Sequence, residues 1–160
     1  MDILPGGLYL EDLQEGQTFT TGSMEVDAAQ IVAFASAFDP QPFHTDAEAA
    51  KHTFFGGLAA SGWHTAALTM RLLVGKGAPF AVGLIGAGAQ LEWPRPTRPG
   101  DVLHVRTEIV KIAPSRSRPD RGMVTLRSET INQRGEVVQV LTSTAVVTRR
   151  PAPAGELRKT

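Results

Sequence analysis

One segment of this sequence constrains the fold more than any other. From Ser61 and Gly62 to Gly75 the spacing predicts a helix that is apolar on nearly every face. Such a helix has no side suited to water, so it should be buried by the rest of the chain. The longest apolar stretch, from Leu58 to Leu73, is interrupted by polar residues and is shorter than the roughly 20 residues needed to cross a bilayer, so we do not expect it to span a membrane.

The second half of the chain supplies elements that can cover this helix. Apolar and polar residues alternate in several segments there, as they do in strands with one buried face. An antiparallel sheet with one apolar face must cover that face, and the economical solution wraps the sheet around the helix, which predicts an α+β fold. The last strand should turn its even-numbered residues, from Val138 to Val146, to one face. Strands are predicted over 17–24, 84–93, 103–109, 121–131 and 137–148.

The first half of the chain predicts helices. Asp27 can cap a helix that ends near Phe38, because Pro40 and Pro42 forbid its continuation. The string Thr45-Asp46-Ala47-Glu48 matches a capping box with Thr45 as the cap, which predicts a second, short helix.

Composition excludes several classes of function. Sixteen basic and sixteen acidic side chains cancel, so no net charge favours nucleic acid or an anionic membrane as a partner. Cysteine is absent, which excludes disulfides and thiolate ligands, and the histidine and carboxylate spacings match no usual metal site. The N-terminus lacks a basic stretch followed by an apolar run, so we expect a cytoplasmic protein. The length predicts one domain over 1–150 and a flexible tail over 151–160.

The most informative segment runs from Asp39 to His44. A carboxylate and an imidazole lie five residues apart, with Pro40 and Pro42 between them. Because proline fixes its own backbone and restricts the residue before it, both side chains are held at little further entropic cost. Such a pair can accept a proton and orient a water molecule, and histidine titrates near neutral pH. The same residues can instead form a plain turn in which His44 satisfies a loop carbonyl.

A second segment, Phe55 to His64, leads into the N-terminus of the apolar helix. The first amides of a helix are unpaired and carry partial positive charge. Gly62 would expose such an amide with no side chain in the way, so a developing oxyanion could be stabilised there. Alternatively, Gly62 only permits close packing and Ser61 only caps the helix.

Together these segments resemble the MaoC-like dehydratases and R-specific enoyl-CoA hydratases. That family carries a D-x-N-P-hydrophobic-H motif with a helix of small residues behind it, and residues 39–44 resemble the motif. The segment Trp93 to Asp101 also resembles the family's turn before its third strand. In two departures, Gln41 stands where the family usually has Asn, and Ser61 where many members have His. The resemblance implies the hotdog fold, an antiparallel sheet wrapped around a long buried helix.

The resemblance also implies roles for these residues. Asp39 and His44 would activate one water for its reversible addition to a trans-2-enoyl-CoA, giving the (R)-3-hydroxyacyl product, and either residue could be the base. The Gly62 amide would stabilise the thioester enolate, and Gln41 and Ser61 would contact the substrate. Coenzyme A is part of that substrate, so we expect no separate cofactor.

Partners follow from the same resemblance. Hotdog proteins of this kind usually pair, which implies a homodimer or a higher homo-oligomer with the acyl-CoA in a tunnel between subunits. The phosphates of coenzyme A need cations, and basic residues cluster around the connection at 113–115. Among them we take Arg116 and Arg118 as candidates for substrate binding.

Two other functions remain open at this point. A thioesterase of the same fold typically places a carboxylate on the long helix, but no Asp or Glu lies between Ser61 and Gly75. A non-catalytic acyl-CoA-binding module is the other alternative, favoured if Gln41 and Ser61 spoil the site.

Overall fold

The computed structural model describes residues 4–153, so residues 154–160 of the predicted tail lie outside the described part of the chain. A short 3₁₀ turn, Leu10–Asp12, comes first among its elements. The helices are α1 (Ala28–Phe38), α2 (Pro42–Thr45), α3 (Ala47–Ala50) and α4 (Gly62–Lys76). The strands are β1 (Thr18–Thr20), β2 (Met24–Glu25), β3 (Ile85–Glu92), β4 (Val102–Pro114), β5 (Arg121–Ile131) and β6 (Val137–Thr148).

The strands form one antiparallel sheet in the order β1-β4-β5-β6-β3, with the short β2 paired to the start of β4. One face of this sheet packs on α4, whose Leu68, Leu72 and Leu73 are buried against it. Each leucine buried in this way contributes about 1.5–3 kcal/mol relative to an exposed one. The predicted hotdog fold, a sheet wrapped around a central helix, is confirmed. The sheet residues in this core are Leu103, Val105, Val138 and Leu141.

The central helix is covered on one side only within the single chain. Its exposed side carries Trp63, Met70 and Val74, which are 61%, 44% and 64% exposed. These residues, with Ala67 between them, follow helical spacing and form one apolar stripe, which we call the α4 stripe. The neighbouring edge of the sheet is also open, because nearly every residue of β3 is exposed.

Strand β6 departs from the predicted pattern. The even-numbered residues from Val140 to Val146 share one face as predicted, and it is the less buried one, but Val138 is fully buried and does not belong with them. The pairing shows why: Ile131 pairs with Val137 while Thr130 pairs with Gln139, so Val138 is an extra residue in the ladder. This bulge shifts the alternation of β6 by one position.

Candidate active site

The segment from Asp39 to His44 is more regular than a loop. Asp39 ends α1, where its backbone N–H donates to the Ala35 carbonyl at 2.8 Å. Pro42 then starts the one-turn helix α2, whose third residue is His44. Proline suits the first turn of a helix because its fixed φ is helical and no N–H is needed there. The two prolines therefore direct the chain into a second helix rather than a loop.

The predicted capping box is displaced by one residue. Asp46, not Thr45, caps α3, since its carboxylate accepts hydrogen bonds from the Glu48 and Ala49 amides at 2.9 and 3.1 Å. Thr45 belongs to α2 and its hydroxyl donates to the Gln41 carbonyl at 3.2 Å. Asp27 caps α1 as predicted, accepting from the Ala29 amide at 2.9 Å.

The imidazole of His44 is buried and held in one orientation. Its side chain is only 6% exposed, and Nδ1 lies 2.6 Å from the Ala59 carbonyl oxygen. A carbonyl only accepts hydrogen bonds, so Nδ1 must carry the proton. In neutral His44 the other nitrogen, Nε2, is then a bare acceptor. The Ala59 carbonyl is thus the loop carbonyl that His44 would satisfy in a plain turn. The same hydrogen bond also fixes the tautomer of the ring.

The carboxylate of Asp39 divides its two oxygens between different neighbours. Oδ1 accepts a hydrogen bond from Gln41 Nε2 at 2.6 Å, while Oδ2 lies 3.4 Å from His44 Nε2. Burial raises the pKa of Asp39, but hydrogen bonding from Gln41 and Ser61 and the nearby His44 lower it more, so the net pKa is below the ordinary value of 3.8. Asp39 is thus ionised at neutral pH.

Asp39 Oδ2 and His44 Nε2 are two hydrogen-bond acceptors that lie close to each other. The 3.4 Å between Asp39 Oδ2 and His44 Nε2 exceeds the about 2.7–2.9 Å of a strong charge-assisted hydrogen bond. With neutral His44 both atoms offer lone pairs, and a molecule with two donors is what satisfies them. Water is such a molecule, and its oxygen would keep its own lone pairs free for attack.

Gly62 lies close to this pair at the start of α4. Ser61 caps the helix, its hydroxyl accepting from the Trp63 amide at 3.3 Å, and the Gly62 amide has no hydrogen-bond partner within residues 4–153. A cavity of about 410 Å³ has both His44 and Gly62 in its wall, together with Phe55 and Trp93. Asp39 does not line this cavity, but its carboxylate lies beside His44, which does. The structure thus brings together Asp39, Gln41, His44, Ser61 and Gly62.

The two arginines predicted to bind substrate are not part of this cluster. Arg116 and Arg118 are exposed in the connection between β4 and β5. That connection lies at the end of the sheet where Arg121 pairs with Thr148. Trp93 follows β3 at the opposite end, since Glu92 pairs with Val140. Within one chain these arginines are therefore remote from the pair, and their role stays a prediction.

Sequence reasoning missed the residues that build the wall around the pair. The guanidinium of Arg98 donates to the carbonyls of Phe55, Gly57 and Leu58 at 2.5, 3.0 and 3.3 Å. It therefore fixes the loop that leads into α4. Trp93 closes the cavity and bonds to Gln139 in β6. Neither contact has a signal in the sequence, because the partners lie about forty residues apart.

Another unpredicted feature is His64, one turn into α4. Its ring stacks on Phe34 with the centroids 4.7 Å apart, and its buried Nδ1 has no hydrogen-bond partner among residues 4–153. Burial lowers the pKa of His64 below its ordinary value of 6.5.

No helix in the described part of the chain is long and apolar enough to cross a membrane. Comparison with known proteins adds further findings. Residues 12–132 match the family model described as MaoC-like domain. The 3-hydroxybutyryl-CoA dehydratase of Methylorubrum extorquens is 33% identical over 112 residues, which is 69% of each chain.

Two solved structures are similar along most of the chain. A MaoC-like dehydratase from Rhodospirillum rubrum is 64% identical with a TM-score of 0.90, over 91% of this chain and 100% of that one. The (R)-hydratase from A. caviae involved in PHA biosynthesis is 28% identical with a TM-score of 0.67, over 88% of this chain and 99% of that one.

Proposed function

The chain belongs to the family of MaoC-like domains, and from that we propose that it is a lyase that hydrates trans-2-enoyl-CoA reversibly to (R)-3-hydroxyacyl-CoA. The observation that carries the proposal is the opposed pair of acceptors, Asp39 Oδ2 and His44 Nε2, 3.4 Å apart beside a cavity. The names of two relatives, a 3-hydroxybutyryl-CoA dehydratase and an (R)-hydratase, support the substrate class and the product configuration.

The reaction follows from where the protons are. One water donates one hydrogen bond to Asp39 and the other to His44, and its oxygen attacks C3 of the enoyl group. One proton of this water passes to the pair as the C3–O bond forms, and the pair then delivers that proton to C2, so the pair is restored and the net change is the addition of one water. Because the Ala59 carbonyl holds the Nδ1 proton, Nε2 is the nitrogen that exchanges protons. Dehydration runs through the same steps in reverse.

Gly62 would stabilise the charge that develops on the thioester oxygen during addition. Its amide is unpaired within residues 4–153, stands at the positive end of a 15-residue helix and lies beside the cavity that contains His44. Removal of one such donor typically costs about 10²–10³ in kcat. The Ser61 hydroxyl that caps the helix also contributes to the lowered pKa of Asp39, so the start of α4 and the pair are electrostatically linked.

The same proposal includes a homodimer. The α4 stripe and the open edge of β3 are adjacent apolar surfaces, and an exposed strand edge is normally paired or covered. A second copy of this chain provides matching surfaces by symmetry.

A further apolar cavity of about 310 Å³, lined by Met70, Leu73 and Leu141, adjoins this surface and would accommodate the acyl chain. A cytoplasmic location remains part of the proposal.

The test is an assay of the purified protein on a panel of enoyl-CoA thioesters of different length and branching, including dicarboxylic ones. Hydration is followed by loss of the ultraviolet absorbance of the conjugated thioester, and the configuration of the product is determined by chiral chromatography. Formation of the (R) product supports the proposal, and the (S) product would contradict its stereochemistry. Release of free thiol would indicate a thioesterase, and binding of coenzyme A without any turnover would indicate a non-catalytic module.

A further inference from the structure

Trp93 occupies the space that a side chain at position 62 would need. A Cβ on Gly62 would lie 2.7, 2.8 and 2.9 Å from three atoms of the Trp93 ring. These separations are shorter than real Cβ contacts, so the ring rests directly on the backbone of Gly62. Because Trp93 and Gly62 both line the cavity that contains His44, the ring forms a wall beside the amide that meets the thioester.

This wall is attached to the protein interior by one hydrogen bond. Trp93 is 41% exposed, and its Nε1 donates to Gln139 Oε1 at 2.9 Å. Gln139 itself is fully buried in β6. An indole nitrogen only donates, so the amide of Gln139 must turn its oxygen toward Trp93 and its NH₂ the other way.

The other end of that amide is equally constrained. Gln139 Nε2 donates to Thr69 Oγ1 at 2.9 Å, Thr69 Oγ1 donates to the Thr65 carbonyl at 2.9 Å, and Thr130 Oγ1 lies 2.6 Å from Thr69 Oγ1. Thr69 has one proton, which goes to the carbonyl, so Thr130 must donate to it. These buried groups satisfy one another in one arrangement only, so the orientation of Gln139 is fixed.

Gln139 faces the inside of the protein by the ordinary alternation of β6. It has the same parity as Leu141, Ala145 and Val147, which are the buried residues further along the strand. Val138 is the extra residue of the bulge and is fully buried as well. The amide of Gln139 therefore lies between the sheet and α4, where it meets Thr69.

We propose that Gln139 is a positioning residue for the reaction, which holds the Trp93 ring against Gly62 and so sets the wall of the thioester pocket. This inference rests on the proposed function for its effect on catalysis, but the Gln139–Trp93 connection is independent of it. Without the hydrogen bond the half-exposed ring can swing, and the thioester then loses its fixed placement beside the Gly62 amide. Misplacement by about 1 Å can cost on the order of 10²-fold in rate.

The test uses the Trp93 fluorescence as its readout. The chain contains two tryptophans, so Trp63→Phe leaves Trp93 as the sole reporter, and every variant is compared with Trp63→Phe alone. In that background, Gln139→Met removes both hydrogen-bonding groups at similar volume. Thr130→Val is the matched control, because it removes one hydroxyl from the same buried set and leaves the Gln139–Trp93 bond intact.

We expect Gln139→Met to lower the fluorescence anisotropy of Trp93, to raise its quenching by acrylamide at least about two-fold and to lower kcat/KM at least about ten-fold, mainly through kcat. Thr130→Val should leave the anisotropy unchanged and lower kcat/KM less than about three-fold. Circular dichroism verifies the folded fraction of each variant. Unchanged anisotropy in Gln139→Met, or equal losses in the two variants, would overturn the proposal.

A second variant covers the case in which Gln139→Met does not fold. Trp93→Phe removes the donor end of the same bond and should reproduce the kinetic loss; full activity in it would overturn the proposal. If the unaltered protein hydrates no enoyl-CoA, the proposed function fails, while the anisotropy comparison still decides whether Gln139 holds Trp93.

Discussion

Replacement of Asp39 by asparagine tests the pair with little disturbance of its surroundings. The side-chain oxygen of the asparagine can still accept the hydrogen bond that Gln41 donates to Asp39 at 2.6 Å. The new NH₂ group takes the place of Oδ2, 3.4 Å from His44 Nε2, where it meets a lone pair and can donate to it. The variant therefore satisfies the local hydrogen bonds at least as well as the native carboxylate.

The expected outcome is a stable protein with little activity. Because Asp39→Asn leaves no buried group unpaired, we expect it to change the free energy of unfolding by no more than about 0.5 kcal/mol. The water between the two side chains loses one of its acceptors, however, and the asparagine now competes for the other. Loss of positioned acid–base catalysis costs about 10²–10⁴ in kcat/KM, which corresponds to about 2.7–5.5 kcal/mol in the barrier.

The assay compares kcat/KM for hydration of a short enoyl-CoA with urea unfolding of the same preparations. Asp46→Asn is the matched control, since Asp46 is an exposed helix cap and asparagine caps helices as well as aspartate does. An Asp39→Asn variant that keeps more than about a tenth of the activity, or whose activity falls only as far as its stability does, would contradict a role for Asp39 in catalysis. Nitrogen NMR that places the proton of neutral His44 on Nε2 instead of Nδ1 would contradict the arrangement of the pair.

Three further predictions follow from other contacts. His44→Ala should lower kcat/KM by about 10²–10⁴, and retained activity would contradict the proposed role. The same variant leaves the Ala59 carbonyl without its donor, so it should also lower the free energy of unfolding by about 1–3 kcal/mol. Burial lowers the pKa of His64 below 6.5, so as the pH falls below 6.5 the unfolded chain binds a proton that the folded chain does not, and stability falls by up to about 1.4 kcal/mol per pH unit. Urea unfolding at about pH 7.5 and about pH 5.5 should show a smaller loss in His64→Leu than in the unaltered protein, and equal losses would show that His64 is not responsible. Val74→Glu on the α4 stripe should convert a dimer to monomers in sedimentation, whereas Val110→Glu, the same change at an exposed valine in β4, should not; a dimer that survives Val74→Glu would rule out the stripe as the interface.

Local patterns predicted the helices well because their signals lie in consecutive residues. The end of α1 at Phe38 and the start of α4 after Ser61 both follow from residues with known preferences at helix ends. The capping box failed by one residue because Pro42 started a helical turn that already included Thr45, which left Asp46 as the first residue free to cap.

The contacts that complete the site depend on residues distant in sequence. The Asp39–His44 pair is local, so its existence was predictable, but the carbonyl that fixes the His44 tautomer comes from Ala59. The bulge that buries Val138 beside Gln139 was not predictable either, because a single extra residue in a ladder leaves no mark on alternating apolar residues. The open side of α4 was not predictable from hydrophobicity, because a surface that meets a second copy has the same composition as a core.

The order of elements along the chain has a consequence for synthesis. The central helix α4 ends at Lys76, and β3, β4, β5 and β6 of its covering sheet all follow it. At about 5–20 residues per second, a ribosome needs roughly 4–14 s to add the residues from Lys76 to Thr148. Strand β1 is synthesised before α4, but it cannot pair until β4 has been made, since Thr18 pairs with Glu108. For those seconds the buried leucines of α4 have no sheet to cover them, so we expect yields in cells to depend on chaperones more than refolding of the completed chain does.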